Sequence, residues 1–160
     1  MKPSRATILF VATIVVLLFL SFSFFYKKPL NIQGAESSKA NLTEITIGNS
    51  KLYVEKALNE TEWSRGLSNR TELNTDGGML FVFPTSEIKT FWMKDTFIPL
   101  DIIWVANKKV VGIDRMFPEL NTPLSQLKRF ISPSPVDMAI ETNLGWTAKH
   151  GIKINDKISY

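Results

Sequence analysis

The sequence predicts a mainly β domain with α+β character: a small barrel-like or curled antiparallel sheet with two short helices, preceded by one transmembrane helix. Three observations carry this expectation. From residue 42 onward the apolar residues recur in short alternating or compact runs of strand length. Turn-forming Gly, Asn and Pro residues separate those runs at short intervals. Ahead of them, residues 6–25 form an apolar stretch with no charged side chain.

That stretch comes first. About 20 residues at 1.5 Å rise span roughly 30 Å, the hydrocarbon thickness of a bilayer. A helix there satisfies its own backbone polar groups, which lipid cannot do. Ser21 and Ser23 interrupt the stretch late, but their hydroxyls can bond back to the preceding turn. Lys2 and Arg5 precede it, and Lys27 and Lys28 follow it. With the terminal amine, the positive balance is slightly heavier on the N-terminal side, which orients the chain N-in, C-out. Residues 1–28 are read as an uncleaved signal anchor, 29–41 as a flexible polar linker, and 42–160 as the globular domain. The domain is thereby expected outside the cytoplasm, at the cell membrane, behind a single pass. A cleaved signal peptide is the competing reading; its apolar region would be unusually long, and no A-x-A site follows closely. The chain has no cysteine, so a lipobox is excluded.

Residues 42–47 alternate as a half-buried strand does, Gly48, Asn49 and Ser50 signal a turn, and residues 51–58 resume the alternation. A hairpin therefore opens the domain. Asn59 or Thr61 caps a short helix in which Trp63 and Leu67 share one face. Gly77 and Gly78 break the chain before a compact apolar strand, 79–83, ended by Pro84. A strand near 90–93 precedes a loop at 94–98. Residues 100–106 form a buried strand, which turns at Asn107, Lys108 and Lys109 into another at 110–113. Residues 116–135 hold four prolines and read as mostly loop. A strand at 136–141 follows. Thr142 or Asn143 begins the second helix, which ends at His150 with Gly151 just beyond it. Residues 152–154 and 157–160 flank a turn at Asn155 and Asp156.

The net charge of +4 invites a nucleic-acid reading. Of the nineteen cations, Lys2, Arg5, Lys27, Lys28 and Lys39 precede Asn41, and of the fifteen acids only Glu36 does. The domain thus carries fourteen cations against fourteen acids, and the excess belongs to the flanks of the apolar stretch. No nucleic-acid partner is expected. The partners expected are the membrane, through residues 6–25, and a small polar ligand or an envelope protein.

Asp101 stands between Leu100 and Ile102 inside an apolar run. A carboxyl buried there needs a partner or several donors. Lys94, Arg65 and the amides near Asp95 and Thr96 are candidate donors. Lys94, Asp95, Thr96, Asp101 and Arg65 are accordingly candidate ligand-binding residues. Glu141, at the end of an apolar strand, is a sixth, and could join Asp101 as an acid–base couple. The bland alternatives are a structural aspartate pinning a loop and a strand-end charge paired with Arg or Lys. His150 is the only histidine, and the dipole at a helix C-terminus explains it without function. One His and no Cys offer no zinc set. No calcium-loop spacing, phosphate loop or nucleophile elbow occurs either. No cofactor and no metal is expected. At least three of the four Trp, with Met79 and Met93, are expected in the core.

Several motifs occur in a characteristic order: Gly66-Leu67, then Gly78-Met79-Leu80-Phe81-Val82-Phe83, then Phe91-Trp92-Met93-Lys94-Asp95-Thr96 with Ile98-Pro99-Leu100-Asp101-Ile102. Ile140-Glu141-Thr142-Asn143-Leu144-Gly145, Gly151-Ile152-Lys153 and Asp156 follow. Together they resemble the domain of unknown function 192 family over residues 42–160. The resemblance implies a small, mostly β domain, often behind a signal sequence or anchor, and supplies no established reaction. Three positions depart from the family's usual pattern. Ser68 stands where it reads Gly-Leu-Met, Asp95 where it reads Met-Lys-Asn-Thr, and Asn155 where Gly often precedes Asp156. At Asp95 an amide donor is lost and a negative charge gained beside Lys94, so a ligand contact made by that amide is not carried over, whereas Asn at 155 enters the left-handed region readily.

Three functional readings follow. The first is a membrane-anchored extracytoplasmic module that binds a small ligand or partner near Lys94, Asp95, Thr96 and Asp101. The second is a hydrolase-type enzyme using Asp101 and Glu141. The third is a structural envelope protein. An enzyme calls for a nucleophile or a metal set, and the sequence displays neither, which favours binding.

Overall fold

The computed structural model of the chain describes residues 42–160. The anchor expected over residues 1–28 and the linker expected over 29–41 lie outside the described residues. Among the described residues no helix is long and apolar enough to cross a membrane.

β1 (Thr43–Ile47) and β2 (Ser50–Ala57) form the expected antiparallel hairpin, with Gly48 at φ +58° in the turn. Helix α1 (Glu60–Arg65) follows. Asn59 caps it by accepting from the Glu62 N–H at 3.1 Å, and the Glu62 carboxylate accepts from the Leu58 N–H at 2.6 Å. The chain then returns to lay β3 (Gly77–Glu87) parallel to β2. This pair departs from the antiparallel sheet that was expected. Parallel neighbours need a crossover of a dozen or more residues, and the segment carrying α1 supplies it. β3 also continues past Pro84, because the register against β8 (Val136–Asn143) shifts between Val82 and Glu87. The irregularity leaves Pro84 outside the recorded ladder pairs, so its missing N–H breaks nothing there.

β5 (Leu100–Ala106) and β6 (Lys109–Met116) pair as a second hairpin, and β8 (Val136–Asn143) lies between β5 and β3. Strands β4 (Thr90–Phe91) and β7 (Phe130–Ile131) make a separate two-stranded ribbon, so the proline-rich segment is not all loop. β8 takes in Thr142 and Asn143, which the sequence assigned to a helix start. Thr142 Oγ1 donates to the Gly77 carbonyl at 2.9 Å and Asn143 Nδ2 to the Asn74 carbonyl at 2.7 Å, and both bonds hold these residues extended. The second helix is only α2 (Trp146–Lys149), entered through Gly145 at φ +84°. β9 (Ile158–Ser159) completes a seven-stranded sheet of order β6-β5-β8-β3-β2-β1-β9. Its two edges meet. Lys109 and Lys157 form an antiparallel bridge, and the Ile158 N–H donates to the Lys108 carbonyl at 2.9 Å. The sheet is therefore a curled half-barrel, closed at one end.

Strand periodicity sorts the core into two clusters on opposite faces. Ile45, Leu52, Leu80, Ile103, Val110, Ile140 and Ile158 come from all seven strands and fill the inside of the curl. Met79, Phe81, Ile102, Trp104, Met116 and Ala139 point the other way, into a second cluster with Leu67, Met93 and Phe130. Phe91 stands edge-on to both Phe81 and Trp104, at 4.9 and 5.4 Å between ring centroids. Such pairs contribute about 0.5–1.5 kcal/mol each beyond burial. Trp104 and Trp146 are buried, Trp63 packs against the outer cluster, and Trp92 is the exposed one.

Asp101 belongs to the inner face, in register with Thr142, and is fully buried. Its donors come neither from the 91–96 segment nor from Arg65, as the sequence suggested. Its Oδ2 accepts from the Thr147 N–H at 3.0 Å and from the Thr147 hydroxyl at 2.6 Å, while Oδ1 has no hydrogen-bond partner. Asp101 thus caps the first turn of α2 from a neighbouring strand. Asp101→Leu leaves both Thr147 donors unsatisfied, and about 1–3 kcal/mol of stability should be lost for each. Asp101→Asn keeps an acceptor and turns its amide toward the place of the unpartnered oxygen, so its loss should be the smaller. Urea melts of the two variants check this order; equal stability of Asp101→Leu and wild type would remove the capping role.

Candidate functional site

Glu141 is the next residue along β8 from Thr142, so it faces the opposite side of the sheet from Asp101. It lies in register with Met79 on β3 and Ile102 on β5, both members of the outer cluster. The acid–base couple of Asp101 and Glu141 is thereby corrected: a sheet separates them, because side chains alternate faces along a strand.

Above Glu141 the outer face is hollow. A cavity of about 200 Å³ is walled by α1 and the turn after it (Trp63, Arg65, Gly66, Ser68), by Phe81 and Phe83 of β3, and by the Lys89–Trp92 stretch, with Lys94 and Thr96 at one side and Glu141 within. Gly66 closes the wall nearest the carboxyl. It sits at φ +47°, ψ −133°, and a Cβ there would lie 3.8 Å from Glu141 Oε2 and 3.5 Å from the Phe81 ring. A side chain at that position meets backbone strain as well as the cavity.

The opposite wall is a loop latched to the turn after α1. The Ser68 hydroxyl donates to the Lys94 carbonyl at 3.0 Å, and the Asn69 N–H donates to the Asp95 carbonyl at 2.7 Å. Thr96 is buried, and its hydroxyl is engaged by the Lys94 carbonyl at 3.2 Å. Asp95 takes φ +53°, the region that Asn and Asp tolerate better than most residues, so either satisfies the backbone there. The two departures from the family pattern thus have structural roles, a latch at Ser68 and a left-handed turn at Asp95. Asn155, at φ +73°, fits its turn in the same way.

Of the six residues singled out in the sequence, Arg65, Lys94, Thr96 and Glu141 converge on this cavity. Asp95 lines a neighbouring surface cleft with Phe97 and Leu120, and Asp101 lies on the far face. Trp63, Gly66, Phe81, Lys89 and Phe91 were not anticipated as cavity residues. Gly66 carried the clearest available signal, a glycine directly behind an amphipathic helix.

The electrostatics are unequal. Glu141 is 5 % exposed, and burial alone pushes its carboxyl up from 4.5 to about 8. Lys89 reaches Glu87 at 3.1 Å and stands 4.7 Å over the Phe83 ring; Lys94 lies 3.9 Å from Asp95. Arg65 is exposed in the last turn of α1. The site can therefore present a neutral carboxylic proton donor at its base, aromatic walls and a cationic rim. Among the described residues no three His, Asp or Glu side chains converge as a metal-binding set.

The raised value sets a pH dependence. Glu141 keeps its proton to a higher pH folded than unfolded, so its contribution to stability is complete below about 4.5 and is lost as pH rises toward about 8. At about 1.4 kcal/mol per unit the ceiling is roughly 5 kcal/mol. Wild type should lose stability relative to Glu141→Gln between pH 5 and 8 in paired urea melts. A constant difference across that range would mean that the carboxyl ionises as it does in water.

Comparison with known proteins follows the geometry. A solved protein of unknown function from Novosphingobium aromaticivorans is 30% identical, with a TM-score of 0.70, over 78% of this chain and 89% of that one. A candidate transcription regulator from Sinorhizobium meliloti is 25% identical, with a TM-score of 0.67, over 74% and 93%. No curated protein matches the sequence. The family of uncharacterized proteins known as DUF192 matches residues 43–160, the whole half-barrel with its cavity. The chain therefore belongs to the domain of unknown function 192 family.

Proposed function

We propose that this chain is a binding module with a small-molecule site in the Glu141 cavity, held at a membrane by residues 6–25. One observation carries the binding reading: a carboxyl buried in a cavity with neither a cation nor a hydrogen-bond donor shifting it. Burying such a group unpaired lowers stability, and a ligand that bonds it recovers that loss on binding. A hydrolase built on two carboxylates lacks its second one, since Asp101 is across the sheet. A cavity of about 200 Å³ lies below the roughly 300–1,000 Å³ typical of drug-sized ligands, so the occupant is small. The domain's balanced charge gives no support to a nucleic-acid partner.

A thermal-shift screen of the full chain in detergent against a metabolite library tests the reading. A true ligand at 100 times its dissociation constant should add about 2.7 kcal/mol of stability, and the gain should vanish in Glu141→Leu. A blank screen, or equal stabilisation of that variant, would overturn it.

The apolar stretch of residues 6–25 supports the anchoring, and the slight cationic excess before it supports an extracytoplasmic domain. The protein should stay with membranes through alkaline carbonate washing. Protease added to intact spheroplasts should remove the domain. Release by carbonate would overturn the anchor, and full protection would reverse the topology.

A further inference from the structure

We propose that the occupant of the Glu141 cavity is a small monoanion, a carboxylate carried on a flat or branched apolar body; this rests on the binding reading above. The charges around the cavity select it. Arg65, Lys89 and Lys94 are the cationic side chains of the wall, and Glu141 is the one acidic side chain in it. Each comes from a different segment: α1, the β3–β4 connection, the loop after β4, and β8. Met79 and Ile102, the neighbours of Glu141 in the ladder, bring no charge. Lys89 and Lys94 have Glu87 and Asp95 nearby, and Arg65 has Glu62 in its own helix close enough to interact through charge, though they form no ion pair among the described residues.

At neutral pH the buried Glu141 is protonated. It then offers an O–H that a carboxylate oxygen accepts, a short charge-assisted bond. The remaining negative charge of the ligand faces the cationic rim. The apolar body meets Phe81 and Phe91, whose edge-on pairing fixes the shape of the wall. An ammonium ligand is the rival, since aromatic walls with an acid also suit a cation. Against it stand the three rim cations and the proton that Glu141 would have to release.

Three near-isosteric probes separate these charges: phenylacetate, phenylacetamide and 2-phenylethylammonium. Each is titrated by calorimetry into the full chain in detergent. Phenylacetate should bind at least tenfold tighter than the amide at pH 7. Its affinity should fall about tenfold between pH 7 and 9 as Glu141 loses its proton, one unit above a value of about 8 corresponding to a factor of about ten. Glu141→Gln keeps a donor, so it should hold phenylacetate within about threefold at pH 7, with no fall up to pH 9. Arg65→Ala should weaken binding several-fold without changing the pH profile. Tighter binding of the ammonium, no preference among the probes, or a wild-type affinity independent of pH overturns the anion assignment and leaves the binding reading in place. Failure of all three probes overturns the assignment as well. If the metabolite screen is also blank, the binding reading falls with it.

Discussion

β8 runs between β3 and β5, and its register decides what lies on each side of the sheet. Ile140 and Thr142 turn inward to the curl, while Ala139 and Glu141 turn outward to the aromatic cluster. A shift of one residue would exchange the two sets and bring Glu141 into an apolar interior with no opening. Two side-chain bonds resist that shift. Thr142 is tied to the Gly77 carbonyl and Asn143 to the Asn74 carbonyl, both just before or at the start of β3. Gly78 resists it in another way. A Cβ there would collide with the Glu141 carbonyl oxygen, so β3 and β8 approach more closely than another residue would permit.

The same sheet buries two carboxyls and treats them oppositely. Asp101 Oδ2 accepts from the Thr147 N–H and hydroxyl while Oδ1 has no partner, and those two bonds place a four-residue helix that could not persist alone. Glu141 is buried to nearly the same depth, and burial is the sole influence on its carboxyl. Secondary structure accounts for the bonded oxygen of Asp101, which holds α2. It does not account for Glu141, where an apolar residue would serve the fold better. A buried polar group that the fold does not need, in the wall of a cavity, marks a candidate functional site.

Much of this was legible in the sequence, because local rules governed it. The first hairpin, the Asn59 cap and the buried run around Asp101 each follow from alternation or capping within a few residues. So does the left-handed Gly151 behind α2, at φ +64°. The order of motifs that resembled the family also matched the family found. Pairings made at long range were not legible. Nothing local states that β2 and β3 lie parallel, since that depends on where the chain returns after α1. The donors to Asp101 were sought nearby in sequence, yet Thr147 is 46 residues away. The supposed couple with Glu141 failed for the same reason. Which face a side chain takes depends on cross-strand register, and two carboxyls on paired strands can be one residue apart in that register and still be kept apart by the sheet. Whether residues 6–25 form the expected helix lies outside the described residues.

The seam between Lys109 and Lys157 has a kinetic side. β9 pairs with β1 more than a hundred residues earlier, and Lys157 just before it bridges to Lys109 of β6. Contacts of such span are slow to find, because the entropy of closing the loop opposes them before any bond rewards it. During that interval β1 and the start of β6 have unpaired backbone edges, the feature through which chains stick to one another. The time taken to close the seam therefore sets how long each newly folding copy stays vulnerable to its neighbours.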